Sequence, residues 1–272
     1  MKRKISELLF ATDMDDTILD SQKRISARNR EAIAAFEAQG GRFTIATGRA
    51  VPATEPYVKE LGLTLPVILY NGAAIYDYKE ERFVWTAALP PESREYFREI
   101  MDAYPMIGAE ILMGEDIYVL RKNEHICRHV DIEKLEYTEV TAEELPDGWF
   151  KILFVMDEDL LDEVWDFIQG RHYEGVDFVK SSVNYLEMMP SGVSKGKTLL
   201  RLAEILGIRP ENTIGIGDYN NDIELIRDTG LGFAVENAPA EVRAVADQIA
   251  PDCNHDAVAW ALAYTAAHLE EF

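Results

Sequence analysis

Short apolar runs alternate with stretches of helical period at both ends of the chain. The run Leu8–Thr12 predicts a buried strand, and a helix is predicted from about Ala27, with Ser26 as its N-cap. Towards the C-terminus, a helix is predicted after Ser194. Further strands are predicted at Phe43–Thr47, Val67–Tyr70 and Thr213–Gly217, and a further helix at Ile223–Arg227. Because this order is typical of a parallel sheet covered by helices, both ends predict a doubly wound, Rossmann-like α/β core.

The middle of the chain has a different pattern. Between about Phe83 and Glu187, amphipathic helices alternate with β-rich runs. The helices are predicted near Ser93–Tyr104 and Leu160–Ile168, and the strands at Ile117–Leu120, Lys151–Met156, Phe178–Ser181 and Tyr185–Met188. A segment of about a hundred residues can form its own hydrophobic core. We therefore predict a discontinuous core of residues 1–82 and 189–272, interrupted by an inserted α/β domain of residues 83–188.

Composition and charge argue against some classes of function. Of 272 residues, 47% are hydrophobic and 28% charged, which is typical of a folded globular protein. Asp and Glu total 49 against 27 Lys and Arg, and the formal net charge of -22 creates a field that repels nucleic acid and anionic lipid. Two cysteines, Cys127 and Cys253, are too few for a disulfide framework. We therefore expect a cytoplasmic protein without a nucleic-acid or membrane partner.

Acidic residues follow two of the predicted strands. Asp13 and Asp15 come directly after the first strand, and Asp218 ends a strand near the C-terminus, with Asn221 and Asp222 just beyond it. The carboxyl ends of parallel strands gather ligands, and residues i and i+2 of an extended chain point the same way. Carboxylates in one crevice repel each other unless a cation lies between them, and Mg²⁺ prefers oxygen ligands. An acidic chain could also place Asp-x-Asp at a strand end by accident. The other motifs must therefore decide whether these carboxylates form a functional site.

Two further motifs suit an anion. Thr47, Gly48 and Arg49 stand at the end of a predicted strand, where a hydroxyl and an unshielded backbone N–H can face a ligand. Lys195 stands at the start of a predicted helix, where the helix dipole already favours phosphate. Together with the carboxylates, these groups predict a site for phosphoryl transfer.

Two other interpretations of these stretches fail. A calcium loop starting at Asp218 would need Gly at its sixth position and Glu at its twelfth, which are Ile223 and Thr229 here. A dinucleotide fingerprint ending its first glycine pair at Gly217 would need a third glycine where Asn220 stands. Asp218 would also place a negative charge against the pyrophosphate.

Three residues of metal-ligating types alternate in the inserted segment. If that segment is extended, His125, Cys127 and His129 lie on one face, which would suit zinc. Because no pair of them has a recognised ligand spacing, we favour a strand with incidental polar residues.

The four motifs resemble those of haloacid dehalogenase (HAD) superfamily phosphatases, in the Cof-like branch with a C2-type (class IIB) cap. The matches, in the expected order, are Asp13-x-Asp15-x-Thr17, Thr47-Gly48-Arg49, Lys195 and Gly217-Asp218-x-x-Asn221-Asp222. Lesser matches are Asn71-Gly72-Ala73, Ala234-Val235 with Asn237-Ala238, and Asn254 with Val258-Ala259. The chain departs from the family at Asp16, Glu236 and Ala257, where glycine is common, and Asp16 adds a charge near the site.

The resemblance implies a role for each matched residue. Asp13 would be the nucleophile that forms an aspartyl-phosphate, and Asp15 the general acid and base. Mg²⁺ would be held by the carboxylates of Asp13 and Asp218 and the backbone carbonyl of Asp15, with Asp222 orienting these ligands. The phosphate oxygens would be bound by Thr47, Gly48, Lys195 and Asn221. Arg49 would either reach the substrate or pair with an acidic neighbour.

The implied activity is that of a Mg²⁺-dependent phosphatase acting on a small soluble phosphomonoester, a sugar phosphate or a phosphorylated cofactor. Residues 83–188 would be the cap that selects the leaving group. A phosphomutase or phosphotransferase could use the same aspartyl-phosphate, and a non-catalytic regulatory module could bind phosphate with the same residues. The expected partner is a small phosphorylated metabolite, and the expected assembly is a monomer or a small homo-oligomer.

Overall fold

The structure, a computed structural model, describes residues 3–270. The strands are β1 (Leu9–Thr12), β2 (Arg42–Ile45), β3 (Val67–Leu69), β4 (Ala74–Asp77), β5 (Arg82–Thr86), β6 (Gly108–Met113), β7 (Asp116–Leu120), β8 (Thr138–Glu139), β9 (Lys151–Val155), β10 (Val176–Ser182), β11 (Tyr185–Pro190), β12 (Thr213–Gly217), β13 (Leu231–Val235) and β14 (Gln248–Ala250). The helices are α1 (Ala27–Ala38), α2 (Val51–Leu61), α3 (Ser93–Ala103), α4 (Glu124–Glu133), α5 (Glu158–Gln169), α6 (Lys195–Ile205), α7 (Ile223–Arg227), α8 (Ala240–Arg243) and α9 (Ala257–Ala267).

The chain forms two compact units. Among the described residues, the first comprises 3–48, Tyr57–Trp85 and 194–270. The second comprises Arg49–Pro56 and Thr86–Val193. The sequence-based division assigned residues 49–56 to the core, whereas the structure groups them with the inserted unit.

A five-stranded parallel sheet forms the centre of the first unit. Its strand order is β14-β13-β12-β1-β2, and every neighbouring pair is parallel. Strand β1 therefore lies between β2 and β12, with Thr12 opposite Ile45 on one side and Ile216 on the other. Since parallel neighbours end at the same edge, the segments after β1, β2 and β12 leave the sheet together.

Side chains of β1 alternate between the two faces of this sheet. Leu9 and Ala11 pack with Leu199 of α6 and Leu225 of α7. Phe10 points to the other face, where its ring stacks on Phe43 of β2 at 5.6 Å and meets Phe36 of α1 edge-on at 6.2 Å. Helices thus cover both faces, which confirms the predicted doubly wound α/β fold.

Capping residues set where two helices of the first unit begin. The Ser26 hydroxyl accepts a hydrogen bond from the Asn29 N–H at 3.0 Å, which starts α1. The Ser194 hydroxyl accepts one from the Lys197 N–H at 3.2 Å, which starts α6. This second cap makes Lys195 the first helical residue, as predicted.

A small three-stranded sheet, in the order β3-β4-β5, adjoins the central sheet. Strands β3 and β4 are antiparallel, and Ala46, just after β2, forms a parallel bridge with Ile68 of β3. The turn Tyr70–Gly72 leaves β3 next to the segment that follows β2.

The second unit is built on a six-stranded sheet in the order β10-β11-β9-β6-β7-β8. Its pairs are antiparallel except for β7 and β8. Helices α3 and α5 pack on one face, where Phe97 and Ile100 of α3 and Val164 of α5 meet Ile111 and Phe154 of the sheet. An additional sheet domain inside the chain was therefore predicted correctly.

The expectation of an extended segment at His125, Cys127 and His129 was wrong. These residues lie on α4, which the Asn123 side chain caps by accepting from the Ile126 N–H at 2.9 Å. Because a helix has a period of 3.6 residues, His125 and His129 lie on one face at i and i+4, whereas Cys127 between them is turned away from it, so the three do not share a face. His125 bonds Asp157 at 2.8 Å, whereas His129 lies 3.2 Å from the Tyr185 hydroxyl.

Candidate active site

Two strand ends bring acidic residues together in the first unit. Asp13 follows β1 and Asp218 follows β12, and the Asp13 N–H donates to the Ile216 carbonyl at 2.9 Å, which continues the pairing past the strand. Carboxylate oxygens of Asp13, Asp218 and Asp222 lie within 4.8 Å of one another. Residues more than 200 positions apart thus share one site because β1 and β12 are neighbours.

Lys195 lies between two of these carboxylates. Its ammonium donates to Asp13 Oδ1 at 2.6 Å and to Asp222 Oδ1 at 2.7 Å, and all three side chains are buried. Burial alone would lower the pKa of Lys195, but attraction to the two carboxylates raises it above its usual value. The lysine is therefore charged at neutral pH and holds the orientation of both aspartates.

Asp222 also supports the backbone around Asp218. Its Oδ2 accepts hydrogen bonds from the Asp218 N–H at 3.0 Å and the Tyr219 N–H at 3.2 Å. A Cβ on Gly217 would approach the Asp222 side chain to 2.4 Å, so glycine is needed at that position. Both Asp222 oxygens are thus bonded within the protein, which fits an orienting residue better than a metal ligand.

Asp13 and Asp218 have the electrostatics of a cation site. Burial raises the pKa of Asp13 to about 7, an effect that Lys195 opposes and that Asp222 and Asp15 increase. Burial, with repulsion from Asp13 and Asp222, raises the pKa of Asp218 well above its ordinary value. Carboxylates that repel each other in a buried place are stabilised in their ionised form by a cation, and hard oxygen donors suit Mg²⁺. The residues present therefore fit a divalent cation.

The segment after Asp13 does not stay extended, contrary to the argument that aligned Asp13 with Asp15. Met14–Ile18 forms a tight turn whose backbone is extended at Asp15, with ψ of 130°, and left-handed at Asp16, with φ of +56°. The Asp15 side chain is partly exposed and lies 2.9 Å from the Lys23 ammonium. It nevertheless lies close enough to Asp13 to contribute to the rise in its pKa.

The predicted phosphate-binding residues Thr47, Gly48 and Asn221 meet at Asn71. The Asn71 N–H donates to the Thr47 carbonyl at 3.0 Å, and Asn221 Nδ2 donates to Asn71 Oδ1 at 3.0 Å. A Cβ on Gly48 would lie 2.9 Å from Asn71 Oδ1, so the Asn71 amide packs against the Gly48 backbone. Arg49 is buried, and its guanidinium donates to the Ala53 carbonyl at 3.5 Å, both residues belonging to the second unit.

Three residues of this site were not assigned a role from the sequence. Thr17 Oγ1 donates to Asp218 Oδ1 at 3.1 Å, and Lys23 forms the ion pair with Asp15. Asn71 was noted as part of a lesser motif match, without a function. The position of Thr17 in the Asp-x-Asp-x-Thr motif could have indicated that it belongs to the site. Nothing in the sequence near Lys23 indicated that its side chain would lie against Asp15.

Comparison with known proteins shows the family of the chain. The family model of haloacid dehalogenase-like hydrolases matches residues 10–262. The 5-amino-6-(5-phospho-D-ribitylamino)uracil phosphatase YitU of Bacillus subtilis is 25% identical, with 92% of this chain and 94% of that protein covered. The pyridoxal phosphate phosphatase YbhA of Escherichia coli is 27% identical, with 92% and 96% covered.

Solved structures share the fold over nearly the whole chain. A haloacid dehalogenase-like hydrolase from Bacteroides thetaiotaomicron has a TM-score of 0.82 and 27% identity, covering 94% of this chain and 98% of its own. A HAD subclass IIB sugar phosphatase has a TM-score of 0.83 and 22% identity, covering 95% and 99%. At that identity the second likeness concerns the fold alone. Over residues 3–270, no helix is both long and apolar enough to span a membrane.

Proposed function

The chain belongs to the haloacid dehalogenase-like hydrolase family, and we propose that it hydrolyses a small phosphomonoester through an aspartyl-phosphate on Asp13, with Mg²⁺ as cofactor. Its relatives make it a phosphomonoesterase of small phosphorylated substrates. The observation that supports the proposal best is the convergence of Asp13, Lys195, Asp218 and Asp222 on one site from three distant segments.

In the first step, a carboxylate oxygen of Asp13 attacks phosphorus while the bond to the leaving oxygen breaks. Lys195 fixes the rotation of this carboxylate by bonding its Oδ1 at 2.6 Å. Asp15 gives a proton to the leaving oxygen, so that the alcohol departs neutral. The products of this step are the alcohol and the aspartyl-phosphate.

In the second step, Asp15 takes a proton from water, and the water oxygen attacks phosphorus. The bond between phosphorus and Asp13 breaks, which releases inorganic phosphate and restores the carboxylate. Lys23, 2.9 Å from Asp15, stabilises the carboxylate form that accepts this proton. Splitting the hydrolysis into two displacements suits a reaction that is extremely slow without a catalyst.

The carboxylates of Asp13 and Asp218 and the backbone carbonyl of Asp15 would hold the metal. When bound, Mg²⁺ supplies positive charge that offsets the negative charge of the phosphate and of the carboxylates. Lys195, Asn221, the Thr47 hydroxyl and the Gly48 N–H would bind the phosphate oxygens. We further propose that residues 83–188 act as the cap that selects among leaving groups.

The substrate class follows from the relatives. YitU and YbhA are named for a phosphorylated ribitylamino-uracil and for pyridoxal phosphate, which are both phosphate esters of primary alcohols. We propose a substrate of this kind, a sugar phosphate or a phosphorylated cofactor. All these relatives are named phosphatases, which favours water over a sugar hydroxyl as the final acceptor.

The test is a hydrolysis screen over phosphorylated metabolites and p-nitrophenyl phosphate, with Mg²⁺ or with EDTA. We expect turnover that requires Mg²⁺ and that Asp13→Asn abolishes. Asp102→Asn, an exposed aspartate on α3, should retain activity. Substantial turnover by Asp13→Asn would rule out the nucleophile assignment.

A second variant tests the proposed role of Asp15 as the general acid. Asp15→Asn should slow the hydrolysis of alkyl phosphates more than that of p-nitrophenyl phosphate, because p-nitrophenolate leaves without a proton. Equal losses for both leaving groups would contradict a role for Asp15 in protonation.

A further inference from the structure

We propose that Asn71 is a positioning residue for phosphate binding, which acts by orienting the amide of Asn221. This inference rests on the proposed function, because it concerns the same phosphate site. Asn71 is buried, with 3% of its surface exposed, so it has little surface to offer a ligand itself. Its contacts instead lie on residues assigned to the phosphate.

The side-chain amide of Asn71 bonds Asn221 across 150 positions of sequence. Asn221 Nδ2 donates one of its two hydrogens to Asn71 Oδ1 at 3.0 Å. An asparagine amide can turn either its oxygen or its nitrogen towards a neighbour. The Asn71 oxygen accepts a hydrogen bond and thereby favours the orientation in which the second Nδ2 hydrogen of Asn221 is free for a phosphate oxygen. In the flipped orientation a carbonyl oxygen would face the phosphate and repel it.

The same residue holds the segment after β2. The Asn71 N–H donates to the Thr47 carbonyl at 3.0 Å, and the Asn71 amide packs on Gly48, where any Cβ would come within 2.9 Å of it. Thr47 and Gly48 are the residues assigned to bind phosphate through a hydroxyl and a backbone N–H. One side chain therefore contacts phosphate-binding groups from two strand ends.

The backbone of this turn is unusual. Tyr70, Asn71 and Gly72 have consecutive positive φ values of +52°, +52° and +100°. Such conformations are unfavourable for residues other than glycine, although asparagine tolerates them better than most, and they cluster at functional sites. The fold keeps three of them in succession, which is consistent with a turn whose shape matters for binding.

The turn is also anchored to the helix that carries Lys195. The Gly72 carbonyl accepts a hydrogen bond from Thr198 Oγ1 of α6 at 2.7 Å. A Cβ on Gly72 would lie 2.4 Å from the Ser194 carbonyl, so the turn and the start of α6 are in direct contact. The position of Asn71 is thereby tied to the element that places the lysine.

The experiment uses Asn71→Gly, which removes the amide and suits a positive φ, so that backbone strain does not add to the effect. Asn221→Ala and the double variant complete a double-mutant cycle. Glu81→Gly is the matched control, since Glu81 is an exposed residue with φ of +48°. Steady-state kinetics with p-nitrophenyl phosphate are combined with the rise in melting temperature caused by inorganic phosphate in the presence of Mg²⁺.

We expect Asn71→Gly to lower kcat/KM by about ten- to a hundredfold, the effect of losing one hydrogen bond to a charged group. The inhibition constant for phosphate should rise, and the phosphate-induced rise in melting temperature should shrink. Adding Asn71→Gly to Asn221→Ala should cause much less further loss than it causes alone. Glu81→Gly should retain the wild-type kinetics.

Three results would overturn the proposal. The first is a double variant whose loss equals the product of the two single losses, because the residues would then act independently. The second is a lower melting temperature for Asn71→Gly with unchanged kcat/KM, because the role would then be structural. The third is an unchanged response to phosphate. If Asn71→Gly does not fold, Asn71→Ser, which is too short to reach Asn221, replaces it in the cycle.

Failure of the proposed function gives a different pattern. A wild-type protein that hydrolyses no ester would refute the phosphatase assignment. The phosphate-induced shift in melting temperature would still measure whether Asn71 orients Asn221 for phosphate.

Discussion

Replacing Lys195 by methionine should destabilise the first unit by about 3–5 kcal/mol, the usual result of removing one partner from a buried ion pair. Methionine has a similar length, so little volume is lost. The ammonium bonds Asp13 at 2.6 Å and Asp222 at 2.7 Å, and these three side chains are almost completely buried. Without the lysine, two buried carboxylates lose their positive partner. Since domains are stable by about 5–15 kcal/mol, the variant should fold but with a much reduced margin.

The effect should depend on pH in a defined direction. Burial raises the pKa of Asp13 to about 7 even though Lys195 opposes the rise, so removing the lysine raises this pKa further. A carboxyl whose pKa is higher in the folded than in the unfolded protein loses stability as pH rises through the folded pKa. The difference between wild type and variant should therefore be larger at about pH 8 than at about pH 6, where Asp13 is protonated in the variant.

Urea unfolding in EDTA measures this difference, with hydrogen exchange in peptides from β1 and β12 as the readout for the first unit. Lys197→Met is the matched control, because Lys197 is exposed on the same helix and its loss should change stability by no more than about 0.5 kcal/mol. Combining Lys195→Met with Asp222→Asn should restore part of the stability, since one of the two stranded charges is removed. A loss below about 1 kcal/mol, or a loss independent of pH, would refute the reasoning.

Two smaller changes test the groups around the carboxylates. Thr17→Val removes the hydroxyl that donates to Asp218 Oδ1 at 3.1 Å. The variant should need a Mg²⁺ concentration on the order of tenfold higher for half-maximal activity, whereas Thr17→Ser should stay close to wild type. An unchanged Mg²⁺ titration for Thr17→Val would contradict this. Asn237→Ala removes the amide oxygen that accepts from the Cys253 N–H at 3.0 Å. Burial raises the pKa of the Cys253 thiol to about 11, and without this bond the thiol should react faster with Ellman's reagent. An unchanged rate would show that this bond does not keep the thiol protected.

Local signals predicted the elements that position the candidate site. The apolar run before Asp13 and the serine before Lys195 each determine a boundary over a few residues, and the structure places the end of β1 and the start of α6 there. The fold class followed from the same signals, because buried strands alternating with helices have few solutions other than a covered parallel sheet. The convergence of Asp13 and Asp218 required one further step, the adjacency of β1 and β12.

Two errors have a common cause, which is that a period of two was taken as evidence of extended chain. The alternation of His125, Cys127 and His129 is fortuitous, and the Asn123 cap with buried residues four apart at Ile126 and Val130 was the better signal. Asp13 and Asp15 were aligned by the same argument, although the chain turns tightly after Asp13. Alternation over three residues does not distinguish strand from helix or turn.

Residues that position other groups are harder to predict from sequence than residues that react or bind a metal, and the reason is physical. Few residue types can serve as a phosphoryl acceptor or hold a divalent cation, so their identity and spacing are informative. The role attributed to Asn71 needs only a short amide side chain, a residue that tolerates a positive φ, and a hydrogen-bond partner. That partner, Asn221, lies 150 positions away in the sequence. The bond exists because β3 joins the edge of the sheet at β2 while β12 lies at its centre, which is a property of strand order. A sequence pattern can thus identify the groups that react, whereas the residues that orient those groups emerge from contacts that the completed fold creates.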